Sequence, residues 1–147
     1  MKQPLFAIPN VLQGAALHAQ KLLDAEKFYE TISFCETELA ALDKQIPPRS
    51  TKSPRAAEPN SAPFQYYALT SILVDAFAEL QEWKAAKEAL GKYRVRFSRD
   101  PWGFYAGAEV TRRDPQVKDQ AAVQRAIELL EGEAQRLEML AEERGKN

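Results

Sequence analysis

The side chains best suited to chemistry in this sequence are one cysteine, one histidine and a scatter of carboxylates. Cys35 falls on an apolar helical face beside Ile32 and Leu39, and His18 is the sole histidine. A Cys/His nucleophile needs an imidazole placed as base, and a usual zinc site needs more such ligands than one of each. Cys35 therefore reads as a small buried hydrophobe, and His18 as a helix-surface or core-edge residue. Glu36, Glu38, Glu128, Glu131, Glu133, Glu142 and Glu143 lie at spacings that suit solvated helix faces. A catalytic carboxylate pair needs confinement to separate its two pKa values, and nothing here predicts it. The sequence holds no Gly-rich phosphate loop, H-E-x-x-H, Cys-x-x-Cys or G-x-S-x-G. No catalytic residue, metal ligand or cofactor is expected, and the chain is read as no enzyme. Lys92, Arg94, Arg96 and Arg99 cluster where a helix should end, where they complement its negative pole. With 20 basic against 21 acidic side chains and a net charge of −1, nucleic acid is not an expected partner. Ser53-Pro54 has the form of a proline-directed phosphorylation site, a dipeptide common in loops.

The elements that would hold these residues are helical. The 147 residues, 45% of them hydrophobic, suffice for one domain with a real core. No window alternates with a period of two, so an all-α fold follows. No apolar run reaches about 18 residues, which argues against a membrane span. Pro4, Pro9, Asn10 and Gln13 interrupt the apolar start of the chain, which argues against a signal peptide. The lone cysteine forms no internal disulfide and suits a reducing compartment, cytoplasmic or nuclear.

Capping residues followed by proline mark helix starts at Ser61-Ala62-Pro63, Asp100-Pro101 and Asp114-Pro115. Asn10 after Pro9 can cap a helix beginning at Val11. Residues 10–44 form a first helix pair if the chain breaks at Asp24–Lys27, because Phe28-x-x-Thr31 mimics Trp83-x-x-Ala86; a single long helix is the alternative. Residues 45–63 hold Pro47, Pro48, Pro54, Pro59 and Pro63, and predict a long surface loop or disordered insertion. Residues 63–98 form the second pair, whose first helix carries Leu69, Ile72, Leu73, Ala76, Phe77 and Leu80 on one face. Residues 101–145 comprise an aromatic segment and a long helix from Pro115 to Arg144, stopped by Gly145. The segment Pro101-Trp102-Gly103-Phe104-Tyr105 is either a short helix opening another repeat or an aromatic plug. In the last helix Val123, Ile127, Leu130, Ala134, Leu137 and Ala141 form an a/d seam. It suits a capping helix packed on the others, or an intermolecular coiled coil.

Leu73, Phe77, Trp83, Ala86 and Leu90 resemble the interlocking pattern of the tetratricopeptide repeat family, and about residues 11–100 resemble two degenerate repeats. The second departs from the family at Thr70, Val74 and Ser98. The resemblance implies a single α-solenoid-like domain of antiparallel helix pairs, with a long C-terminal capping helix. It implies a peptide groove lined by Gln13, Ala16, Leu17 and Gln20 of the first helix and by Ala68, Ser71, Ile72 and Asp75 of the third. Without basic residues there, the groove suits a helical or extended apolar segment of a protein partner rather than a terminal carboxylate. Two repeats are fewer than the three or so that a stable array needs. Completion then falls to the last helix or to self-association as a homodimer. The interface candidates are Leu17, Gln20, Ile72 and Asp75 in the groove, Trp102, Phe104 and Tyr105 in the aromatic segment, and Leu130 and Leu137 on the last helix. The layout is also similar to the amino-terminal part of the tetratricopeptide scaffold subunits of the anaphase-promoting complex. That implies a non-catalytic subunit of a ubiquitin-ligase-type assembly.

Overall fold

A computed structural model describes residues 5, 6, 8, 12–50 and 53–146. Among them the chain forms six α-helices and no strand: α1 (Gly14–Asp24), α2 (Phe28–Asp43), α3 (Ala62–Glu79), α4 (Trp83–Arg96), α5 (Pro101–Arg113) and α6 (Gln120–Lys146), with a 3-10 turn at Pro54–Ala56.

Two of the helix starts form as the capping residues dictate. Ser61 Oγ accepts the Phe64 N–H at 3.4 Å to open α3, and Asp100 Oδ1 accepts the Trp102 N–H at 3.1 Å to open α5. The other two differ. Leu12 and Gln13 are not helical, so α1 opens at Gly14; Asn10 and Val11 lie outside the described residues. Its first-turn Ala16 N–H is capped from a distance, by Gln65 Oε1 of α3 at 2.9 Å. The last helix opens at Gln120, where Asp119 accepts the Ala122 N–H at 3.1 Å. Asp114 instead ends α5, because its carboxylate is taken by Lys87 Nζ at 2.7 Å and the Gln116 N–H at 2.8 Å. Nor does Gly145 stop α6, which continues to Lys146.

Residues 14–43 form two helices, and the turn between them is repeated between α3 and α4. Glu26 N–H donates to Leu23 O at 2.9 Å and Lys27 N–H to Leu22 O at 3.0 Å; Gln81 N–H donates to Ala78 O at 3.1 Å and Glu82 N–H to Phe77 O at 2.8 Å. Both are Schellman closures, which place one residue in the left-handed region. Here that residue is Glu26 (φ 60°) or Gln81 (φ 60°) rather than glycine. A Cβ is disfavoured in that conformation by about 1 kcal/mol. Glu26→Gly should therefore raise the unfolding free energy by up to about 1 kcal/mol, measured as a higher urea midpoint. Gln81 is a poorer target, because its Oε1 accepts the Trp83 indole N–H at 3.1 Å.

α5 and α6 make a third antiparallel pair, joined by Arg112–Glu131 at 2.8 Å and by Tyr105–Glu138. The aromatic segment is thus the first turns of a complete helix. Gly107 leaves room for the Arg94 guanidinium of α4, which a Cβ there would meet at 2.6 Å, while Leu130 of α6 would stand at ordinary contact distance.

Each helix packs on its sequence neighbour, and α3 also packs on α1. α3 is central: every residue from Phe64 to Ala76 is buried. A helix apolar nearly all round is one that other elements enclose. Tyr67, Tyr93 and Trp102 meet at its α5 end, with Trp102 4.9 Å from each of the other two rings.

The proline-rich stretch is neither disordered nor merely superficial where it is described. Ile46 and Pro54 are buried, and the Arg49 and Ser50 N–H groups donate to Val95 O at 3.0 Å and Arg96 O at 2.7 Å. These are carbonyls that the end of α4 would otherwise leave open. Arg96 fastens the same stretch, donating to Ile46 O at 2.6 Å and pairing with Asp43 at 3.0 Å.

Candidate functional site

The face of α3 that carries Ser71, Ile72 and Asp75 was expected to line an open groove. It is covered: Ile72 is 1% and Asp75 8% exposed. Part of the cover is the chain's own N-terminal segment. The Leu5 N–H donates to Asp75 Oδ1 at 2.8 Å, and the Phe6 ring stands edge-on to Trp102 at 5.4 Å. Ile8 and Leu12 pack on the core from the same segment, and all four side chains are half-buried. The described residues of this segment are not helical and are apolar, and they lie against α3 and α5, where the Leu5 N–H on Asp75 and apolar contacts hold them.

That burial leaves a trace in Asp75. Desolvation pushes its carboxyl up to about 7, and Glu79 adds to the rise, against the opposing Leu5 N–H and Arg113. The folded form then binds a proton that the unfolded chain has already lost, so this group's contribution to stability falls as pH rises from about 4 to 7. Asp75→Asn should remove that part of the pH dependence, on the order of a few kcal/mol between pH 4 and 8, checked by urea unfolding at both pH values. An identical slope in the variant would show that Asp75 is not its source.

Beside Leu5 and Phe6 a cleft of about 290 Å³ remains open, walled by Trp102, Tyr105, Glu109, Arg112 and Glu131. Arg112 spans it, 2.8 Å from both Glu109 and Glu131. A second cleft of about 230 Å³ lies between α2 and α4 with Leu73 and Phe77 at its floor and Glu36, Glu88 and Lys92 at its rim.

No family model, curated protein or solved structure matches this chain. The site is thus defined by its geometry.

The residues named from sequence are dispersed. Leu17 is 38% exposed on α1, and Gln20, half-buried, donates to Asp24 at 2.8 Å. Trp102 is buried in the core, Phe104 is half-buried with Arg94 5.7 Å over its ring, and Tyr105 faces the first cleft. The aromatic segment therefore does not act as one surface. Leu137 is buried and Leu130 half-buried, on a helix whose packed neighbour is α5. The a/d seam is thus used within the chain through Ile127, Ala134 and Leu137, and Leu129, Met139 and Leu140, off the seam, are the large apolar side chains that α6 exposes. Sequence reasoning missed Leu5 and Phe6 as ligand-like residues and Glu109 and Arg112 as cleft walls. The adjacent pair Leu5-Phe6 was the available signal.

Cys35 is fully buried, and desolvation, with Glu36 and Glu38 beside it, pushes its thiol up to about 12. A thiol so placed is a poor nucleophile. Among the described residues no three His, Cys, Asp or Glu side chains are arranged to hold a metal, and no helix is long and apolar enough to cross a membrane.

Proposed function

We propose that this protein is a non-catalytic protein-interaction or scaffold module, built of tetratricopeptide-like helix pairs, that works within a larger assembly such as a ubiquitin-ligase-type complex in the cytoplasm or nucleus. The observation that carries the reading is the peptide already lying on α3 and α5, with its Leu5 N–H on Asp75 and Phe6 on Trp102. A face that holds a segment through a backbone hydrogen bond and apolar contacts has the physical means to hold another. The test is affinity purification of the full chain from its own cells beside a Tyr105→Ala variant at the cleft wall, compared at a temperature where circular dichroism shows both chains folded, since Tyr105 also links α5 to Glu138 of α6. Loss of a partner that the wild-type chain retains supports the reading; identical partner sets from both chains count against it.

A second reading, a homodimer, draws on the exposed Leu129 and Met139 of α6, 76% and 62% accessible. Trp102 and Leu137 are buried within the chain, so such a dimer would use the outer face of α6. A monomer by light scattering at tens of micromolar removes it.

A further inference from the structure

The N-terminal segment fits its site incompletely. Leu5 and Phe6 are only half-buried, while the cleft of about 290 Å³ that they border stays open toward α6. The cleft is open to solvent, so the edge of Phe6 that borders it is not covered by protein. A ligand that fills it gains apolar contact that Phe6 lacks, with Trp102 and Tyr105 as aromatic walls.

We propose that this face binds a partner's short non-helical apolar segment that displaces Leu5 and Phe6, gives a backbone N–H to Asp75, and fills the cleft with an aromatic side chain larger than phenylalanine. The inference rests on the scaffold reading and deepens it by stating what the partner presents. The N-terminal segment is the resident competitor. Being tethered, it acts at high effective concentration, so a partner must bind better than Leu5-Phe6 to enter. The open volume next to Phe6 is where that advantage is available. The Arg112 guanidinium at the wall, flanked by Glu109 and Glu131, adds a polar contact for whatever follows the aromatic residue.

The probe is a fluorescein-labelled peptide with the sequence of residues 1–13, made as such and with tryptophan in place of Phe6. Its anisotropy is followed against the full wild-type chain and the full Phe6→Asp chain, whose own segment is weakened. The Phe6→Asp chain should bind the probe at least tenfold more tightly than wild type, and the tryptophan peptide should outbind the parent severalfold. Equal affinity for both chains, or no gain from tryptophan, overturns the proposal. Should Phe6→Asp fail to fold, the wild-type chain decides by NMR. Saturating tryptophan peptide should move the Leu5 and Phe6 amide resonances, and unmoved resonances overturn the proposal equally. A wild-type dimer that becomes monomeric on Phe6→Asp would make a second copy's segment the occupant, which also overturns it. Peptide binding without any cellular partner sinks the scaffold reading alone. A partner retained equally by wild-type and Phe6→Asp chains, with no peptide bound, sinks this inference alone.

Discussion

Trp102→Ala should lower the unfolding free energy by about 3–5 kcal/mol, the range for emptying a buried tryptophan site. Its indole is 7% exposed and touches three rings from different parts of the chain: Phe6 at 5.4 Å, Tyr67 and Tyr93 each at 4.9 Å. All three contacts are near edge-on, the arrangement that adds to area burial. Removing the indole opens a cavity between α3, α4 and α5 and takes away the surface on which Phe6 rests. At roughly 2–4 °C per kcal/mol for a chain of this size, the melting temperature should fall by about 10 °C. The Leu5 amide should lose protection from hydrogen exchange in step. Trp102→Phe keeps part of the contact and should lose less. A fall of under 1 kcal/mol for Trp102→Ala would mean that the aromatic junction does not bear on stability.

Asp100→Ala should also be damaging, about 2–4 kcal/mol, for an electrostatic reason that water reaching the 37% exposed Arg55 reduces. The Asp100 side chain is 2% exposed and ties three elements together. Oδ1 accepts from Arg55 Nη2 at 2.8 Å and from the Trp102 N–H at 3.1 Å, while Oδ2 accepts from the Tyr93 hydroxyl. Burial pushes the Tyr93 hydroxyl pKa well up, and the Asp100 charge adds to the rise, so that phenol stays a donor across the working pH range. Deleting the carboxylate leaves a buried hydroxyl and a guanidinium without their acceptor, which costs more than the hydrogen bonds themselves contribute. Tyr93→Phe in the same background should show coupling of about 1 kcal/mol or more in a double-mutant cycle. As a contrast, Glu133→Ala, which breaks the exposed pair with Arg136, should change stability by under about 1 kcal/mol.

The helix pairs were legible where the signal is local. Ser61 and Asp100 cap their helices as their neighbouring prolines require, and the spacing of Trp83, Ala86 and Leu90 places three buried side chains on one face of α4. Phe28-x-x-Thr31 marked the start of α2 because the turn before it repeats the one before Trp83. Reading failed where a tertiary partner outcompeted the local rule. Asp114 precedes a proline as Asp100 does, yet Lys87 draws its carboxylate to the end of α5, and Asp119 opens α6 instead. The proline-rich stretch looked unable to pack because its composition is polar. Its backbone N–H groups nevertheless found open carbonyls at the end of α4, 46 positions away for both Arg49 and Ser50. The N-terminal segment was the least legible part of the site. Leu5, Phe6 and Ile8 follow no helical period, and the acceptor for Leu5 lies 70 positions downstream. Asp75 was singled out as a groove residue, but nothing in its neighbours' spacing shows that the chain itself would cover it.

That separation has a consequence for synthesis. Leu5 and Phe6 leave the ribosome before Asp75 and Trp102 exist, so the segment has no site to dock on until α5 has been made. Contacts of such long sequence separation form late, after the helix pairs whose closure is local. These apolar residues are then among the last to be covered, and they stay open to chaperones, or to a waiting partner, until α5 has been made. Refolding from denaturant should accordingly bury Trp102 in two stages, with the Phe6 contact in the slower one.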